Sequence, residues 1–210
     1  MYNYKKMFVM LFLGFGSGLP YILLISTSTA WLRDVNIDLS YIGFFTWITF
    51  TYTFKFAWAP LVDRFSIPFL AQYGHRKSWI AFMQILIFLS LLFISNIDPI
   101  ENFILFCIVG ATIAFAGSIQ DIAIDAFRIE YAHISDQGNL AASYQLGYRL
   151  AIIAATSIAL IFADINGWSM TFKLMAGLMC LGLLGVIFSK EEKNKELGKL
   201  NFINSIVEPL

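Results

Sequence analysis

Asp121 and Asp125 stand four residues apart, so on a helix both carboxylates share one face, and Arg128 follows one turn later. Acids at that spacing can hold a metal for phosphoryl transfer inside a membrane, accept a proton, or join an ion network. The metal chemistry needs further oxygen ligands on the preceding turns. Residues 103–108 there are wholly apolar, and no second acid cluster exists. The two histidines, His75 and His133, both fall between apolar runs, so a zinc site is equally poor. Cys107 and Cys180 lie in apolar runs and read as small hydrophobes. No metal and no cofactor is expected, and an enzyme is not.

Proton or ion-pair chemistry remains, with Lys55 and Arg149 as its cations. Lys55 either snorkels to an interface or faces a bundle interior as a binding or pairing group. If the chain turns near residue 135, Arg149 returns at the depth of Asp121 and can pair with it. Asp125 is then left to face Tyr144, Gln145 or the charged loop that holds Asp63, Arg64, Arg76 and Lys77. A structural ion network and a proton-accepting aspartate both fit this pattern.

The elements that must position these groups are membrane spans. The 210 residues are 59% hydrophobic and 13% charged, with a mean hydropathy of +0.72. Soluble domains carry about twice that share of charge, so a soluble globular protein is excluded. A formal net charge of zero gives no argument for nucleic acid as a partner. A helix needs about 20 apolar residues to cross the hydrocarbon, and six stretches qualify: 7–32, 41–62, 79–96, 103–124, 141–163 and 171–189. They are long and continuous, unlike the short alternating strands of a barrel. The expected fold is all-α: a polytopic bundle of six spans in a lipid bilayer, followed by a charged tail over 190–210.

Orientation follows from the basic residues near the span ends. An inside N-terminus places Lys5, Lys6, Arg64, Arg76, Lys77, Arg128, Lys190, Lys193, Lys195 and Lys199 on the cytoplasmic side. Only Arg33 and Lys173 then fall outside, so both termini are expected in the cytoplasm. Gly14, Gly16, Gly18 and Pro20 interrupt the first span. No strand precedes them, which removes a dinucleotide-binding reading. Gly14 and Gly18 make a small-x-x-x-small packing face, while Gly18 and Pro20 can instead loosen the helix.

The stretch Ala59-Pro60-Leu61-Val62-Asp63-Arg64, followed by Gly74-His75-Arg76-Lys77, resembles the loop signature of the major facilitator superfamily. It departs from that signature in having Ala59 for the leading glycine and nine residues between Arg64 and Gly74. Phe15-Gly16-Ser17-Gly18-Leu19-Pro20, Tyr52-Thr53-Phe54-Lys55-Phe56-Ala57-Trp58-Ala59-Pro60 and Gln120-Asp121-Ile122-Ala123-Ile124-Asp125-Ala126-Phe127-Arg128-Ile129-Glu130 narrow the likeness. Together they resemble the AmpG family of anhydromuropeptide permeases of bacterial inner membranes.

The resemblance implies import of N-acetylglucosaminyl-anhydro-N-acetylmuramic acid and its peptides, driven by the proton gradient. It also implies a fold of two six-helix halves, of which only the first is matched, with Val207-Glu208-Pro209-Leu210 resembling the central loop. Asp63, Arg64, Arg76 and Lys77 then lock the cytoplasmic face, joined by Asp125 and Arg128 from the fourth span. Lys55, Gln120, Asp121 and Arg149 line the substrate or proton pathway. Such a half is expected to work with a second half or as a homodimer. The alternatives are a truncated remnant that carries nothing, and a membrane scaffold for another permease.

Overall fold

The computed structural model describes residues 4–65, 67, 74–131 and 134–189, and every regular element among them is helical. The chain begins with α1 (Tyr4–Asp34), in which a π-helical turn, Leu23–Thr27, adds a residue to the helix without breaking it. Next come α2 (Leu39–Thr46), a 3-10 turn (Trp47–Thr49), α3 (Phe50–Thr53) and α4 (Lys55–Arg64). Four longer helices complete the unit: α5 (His75–Ile94), α6 (Phe103–Tyr131), α7 (Ile134–Asn166) and α8 (Trp168–Phe188). The charged tail over 190–210 and His133 lie outside the described residues.

Helices α1, α5, α6, α7 and α8 are each long and apolar enough to cross a bilayer. The expected second span, 41–62, is helical along most of its length but is not one helix, so among the described residues five continuous spans stand where six were expected. Threonine explains much of the interruption. Thr46, Thr49 and Thr51 each donate a hydroxyl to a carbonyl three residues earlier, on Gly43, Thr46 and Ile48, at 2.7, 2.7 and 2.8 Å. Such local bonds compete with the regular helical ladder. Phe54 then leaves helical geometry, and Pro60 has no N–H to give. Packing does little to override these preferences, because Phe44, Trp47, Phe50, Phe54 and Phe56 are all exposed and the segment leans mainly on α6.

Around α1 the other helices find their places: it packs along α7, α8 and α6, while α5 packs on α6 and α8. The tightest seam is between α1 and α7. A Cβ on Gly14 would lie 2.1 Å from the Tyr144 carbonyl oxygen, and one on Gly147 would lie 2.0 Å from that of Leu11. Only glycine permits backbones to approach so closely, which is how helices gain contact in a solvent as apolar as their own side chains. Gly18 continues the seam against the ring of Tyr148. Pro20 is buried within the same helix, three residues before the π turn. The second π turn, Ala154–Ile158, lies in α7 directly beside the first, and the Thr27 hydroxyl donates to the Ala155 carbonyl across the seam.

The two ends of the bundle differ in character. At the end remote from the N-terminus, Trp31 stacks on Trp168 at 6.1 Å and meets Phe106 and Phe172. Trp168 Nε1 donates to Asp34 at 2.7 Å. Gly167, at φ +80°, is the single residue that turns α7 into α8, a backbone state open to glycine. The N-terminal end is ionic, as described next.

Candidate functional site

Asp121 sits in the interior third of α6, where a carboxylate needs donors close by. Ser17 of α1 supplies one: its hydroxyl lies 2.5 Å from Asp121 Oδ1 and 2.7 Å from the Tyr144 hydroxyl of α7. Three helices thus meet through one serine. The close seam makes this possible, since Gly14 and Gly18 let Tyr144 and Tyr148 reach across to α1 at the level of Ser17. The hydroxyls of Tyr52, Tyr144 and Tyr148 and the ammonium of Lys55 all stand within electrostatic range of Asp121. Tyr52 comes from α3 and rests on Gly117, one turn before Asp121, while its ring meets Tyr21 edge-on at 4.8 Å.

One turn further along α6, Asp125 lies 3.8 Å from Lys55 Nζ and 3.6 Å from an Arg128 guanidinium nitrogen. Arg128 also covers the ring of Tyr144 at 5.7 Å. Lys55 and Asp125 are both nearly half exposed, so this pair lies at the outer edge of the polar group around Asp121. A pocket of about 610 Å³ lies elsewhere, between α1 and α2, lined by Arg33, Asn36, Asp38, Ser40 and Tyr41. None of the Asp121 group belongs to it.

The other expected pathway residues fall apart from this cluster. Asp121 and Arg149 do not pair. Arg149 is five residues after Tyr144, which turns it about 140° away from the side of α7 that faces Asp121. It is exposed, and it has no hydrogen-bond or ionic partner among the described residues. Gln120 diverges from Asp121 by about 100° and is fully buried, its Nε2 close to Gly16 of α1, which Gln84 of α5 also approaches. Neither glutamine amide has a hydrogen-bond partner among the described residues. A Cβ on Gly182 of α8 would lie 2.6 Å from Gln84 Nε2, so four helices crowd this second polar point.

At the N-terminal end, Arg76 opens α5 with its guanidinium largely buried. It holds Asp63 at 2.5 Å and Glu130 at 3.2 Å, joining the end of α4 to the end of α6. The expected fourth-span acid in this group was Asp125. Glu130 takes that position, because α6 continues seven residues past the expected end at 124 and carries Glu130 to the level of Arg76. Lys77 donates to the Ser189 carbonyl at 2.8 Å and so fastens the end of α8. Lys6 donates to the Tyr131 carbonyl at 2.6 Å, and Gln137 to those of Arg128 and Ile129 at 3.3 and 3.1 Å. Donors at a helix C-terminus satisfy carbonyls that the helix leaves free. Arg64 is exposed, with no partner among the described residues.

Ser17, Tyr144, Tyr52 and Glu130 had not been expected in these roles. The available signal was chemical. An intramembrane carboxylate calls for hydroxyl donors, and Ser17 stands between the two glycines of the packing face.

Residues 6–204 match the Major Facilitator Superfamily. The chain belongs to that superfamily. It is 33% identical over 201 residues to AmpG 4 of Rickettsia conorii, covering 95% of this chain and 48% of that one. It is 35% identical over 184 residues to the anhydromuropeptide permease of Escherichia coli strain K12, covering 87% of this chain and 37% of the permease. AmpG 3 of Rickettsia typhi is 30% identical over 209 residues, 98% of this chain and 49% of its own length. The chain therefore spans about half the length of the curated relatives it matches. With five apolar helices of spanning length among the described residues, this major facilitator chain is a multi-pass membrane protein.

Proposed function

We propose that this chain forms the first half of a secondary transporter that imports cell-wall-derived anhydromuropeptides across a bacterial inner membrane, coupled to protons. The observation that carries the reading is the polar group that α1, α6 and α7 share within the bundle. There Asp121 is held by Ser17 and Tyr144, beside a Lys55–Asp125 pair, in a span where charge is costly. A polar group of that kind suits a hydrated solute better than it suits lipid. The name of the Escherichia coli relative supplies the solute class.

In this reading both termini are cytoplasmic and the segment 39–64 crosses the membrane as a broken helix. A second six-helix unit, or another copy, closes the pathway over Lys55, Asp121, Gln120 and Arg149. Asp63, Arg76 and Glu130 tie the cytoplasmic helix ends, with Arg64, Lys77, Asp125 and Arg128 completing the gate. Asp121 carries the coupled proton.

Uptake of labelled anhydromuropeptide tests this, in cells lacking their own permease and expressing the chain alone or with the second half of a relative. Insertion is confirmed in parallel. Uptake that a protonophore abolishes is the expected result. Full insertion without uptake in either arrangement overturns the proposal and leaves a remnant or a scaffold.

A further inference from the structure

Arg149 is the feature the cluster around Asp121 does not absorb. Its depth follows from the seam: Gly18, which packs on the neighbouring Tyr148, lies roughly midway along α1 between Lys5 and Arg33. At 1.5 Å per residue each end is roughly 20 Å away, farther than a guanidinium can snorkel. On insertion scales a charge at this level costs at least about 2.5–3.5 kcal/mol if it faces hydrocarbon. Yet Arg149 is exposed and has no partner among the described residues.

Its direction on α7 is equally informative. Tyr144, Gly147, Tyr148 and Ala151 face α1. Moving round the helix past Tyr148, the next positions before the π turn are Ile152, Gln145 and then Arg149. The arc beyond is made of Ile153, Leu146 and Leu150, all exposed and apolar, as a lipid-facing surface is. Arg149 therefore closes the polar arc that begins at Tyr144 and Tyr148 beside Asp121. The charged groups along this arc and beyond its Tyr144 edge are Arg149, Lys55 and Arg128 against Asp121 and Asp125, an excess of one positive charge with both acids ionised. Both Lys55 and Arg128 already share Asp125. An anion arriving here meets one free guanidinium, whose planar fork matches a carboxylate in two parallel hydrogen bonds.

We propose that Arg149 binds a carboxylate of the transported solute and so makes the pathway selective for anionic over neutral forms. The inference rests on the muropeptide reading above, since muramic acid and its peptides carry carboxyl groups.

The test compares uptake of labelled N-acetylglucosaminyl-anhydro-N-acetylmuramic acid with uptake of its neutral methyl ester, by the full chain in whichever arrangement transports. The wild type is expected to favour the acid at least tenfold. Arg149→Gln is expected to lower acid uptake at least tenfold while ester uptake stays within twofold, erasing the preference, and Arg149→Lys to keep part of it. Retained ester uptake also shows that the variant folds. Equal loss of acid and ester in Arg149→Gln overturns the inference in favour of an acid on a second six-helix unit as the partner. An undiminished preference for the acid in Arg149→Gln overturns it too, by placing the carboxylate elsewhere. Uptake of neither compound by the wild type defeats the muropeptide reading itself, and the inference with it.

Discussion

Replacing Gly147 by alanine puts a methyl group 2.0 Å from the Leu11 carbonyl oxygen, 2.9 Å from its carbon and 3.0 Å from the Phe15 nitrogen. All three atoms are backbone, so no rotamer change can relieve the clash. The α1–α7 seam must widen by at least about 1.4 Å to take the 2.0 Å approach to ordinary contact, and overpacking of this kind costs about 1–3 kcal/mol. Alanine also returns about 0.8–1 kcal/mol of helix propensity over glycine, so the raw loss understates the clash. Gly177 in α8 supplies the control, since a Cβ there meets nothing within 4 Å. Equilibrium unfolding in mixed micelles is expected to rank Gly147→Ala about 1–3 kcal/mol below Gly177→Ala. Gly14→Ala strains the same seam at Tyr144, so the double variant Gly14→Ala/Gly147→Ala is expected to lose less than the sum of the two singles, by at least about 0.5 kcal/mol. If Gly147→Ala is as stable as Gly177→Ala, or if the two seam variants add, the close backbone approach is not what holds α1 to α7.

Gly117→Ala would bring a methyl to 2.0 Å from the Tyr52 hydroxyl, the far end of a side chain and not backbone. It is expected to destabilise less than Gly147→Ala in the same titration, while Tyr52 fluorescence or labelling at a neighbouring cysteine reports that α3 has shifted on α6. Asp63→Asn and Glu130→Gln each remove one partner of Arg76. Both acids are more than half exposed, so each is expected to cost at most about 1 kcal/mol, less at high salt. A loss of 3 kcal/mol in either would mean that the ion group is sealed from water.

Hydropathy located the long apolar helices because burying backbone in lipid leaves few alternatives. It also counted 41–62 as an unbroken span, because an average over composition does not register that Thr46, Thr49 and Thr51 bond backward to the backbone. Depth along the chain placed Arg149 level with Asp121. It could not supply the angle around the helix, and five residues' difference from Tyr144 turned the guanidinium away. The Asp63–Arg76 contact lay in the loop motif, whereas its companion Glu130 depended on α6 outlasting its apolar stretch. Ser17 carried no charge to attract notice, although a carboxylate at that depth must find a donor. The glycine seam was visible from α1 in Gly14 and Gly18; its counterpart Gly147 stood alone among larger residues on α7 and offered no spacing to read.

The two π turns, Leu23–Thr27 in α1 and Ala154–Ile158 in α7, lie side by side and are joined by Thr27. Each adds one residue, which rotates everything beyond it by about 100° relative to an uninterrupted helix. The helices therefore behave like two threaded rods with matching offsets. Their glycine-rich lengths mesh in one phase and their remote lengths in another, and neither offset works without its counterpart. Removing a residue from one turn alone would leave the ionic end aligned and send Trp31 of α1, or the buried Ala159 and Ala163 of α7, round to the wrong side. Removing one from both restores the mesh, so the two turns are coupled in how they can be gained or lost.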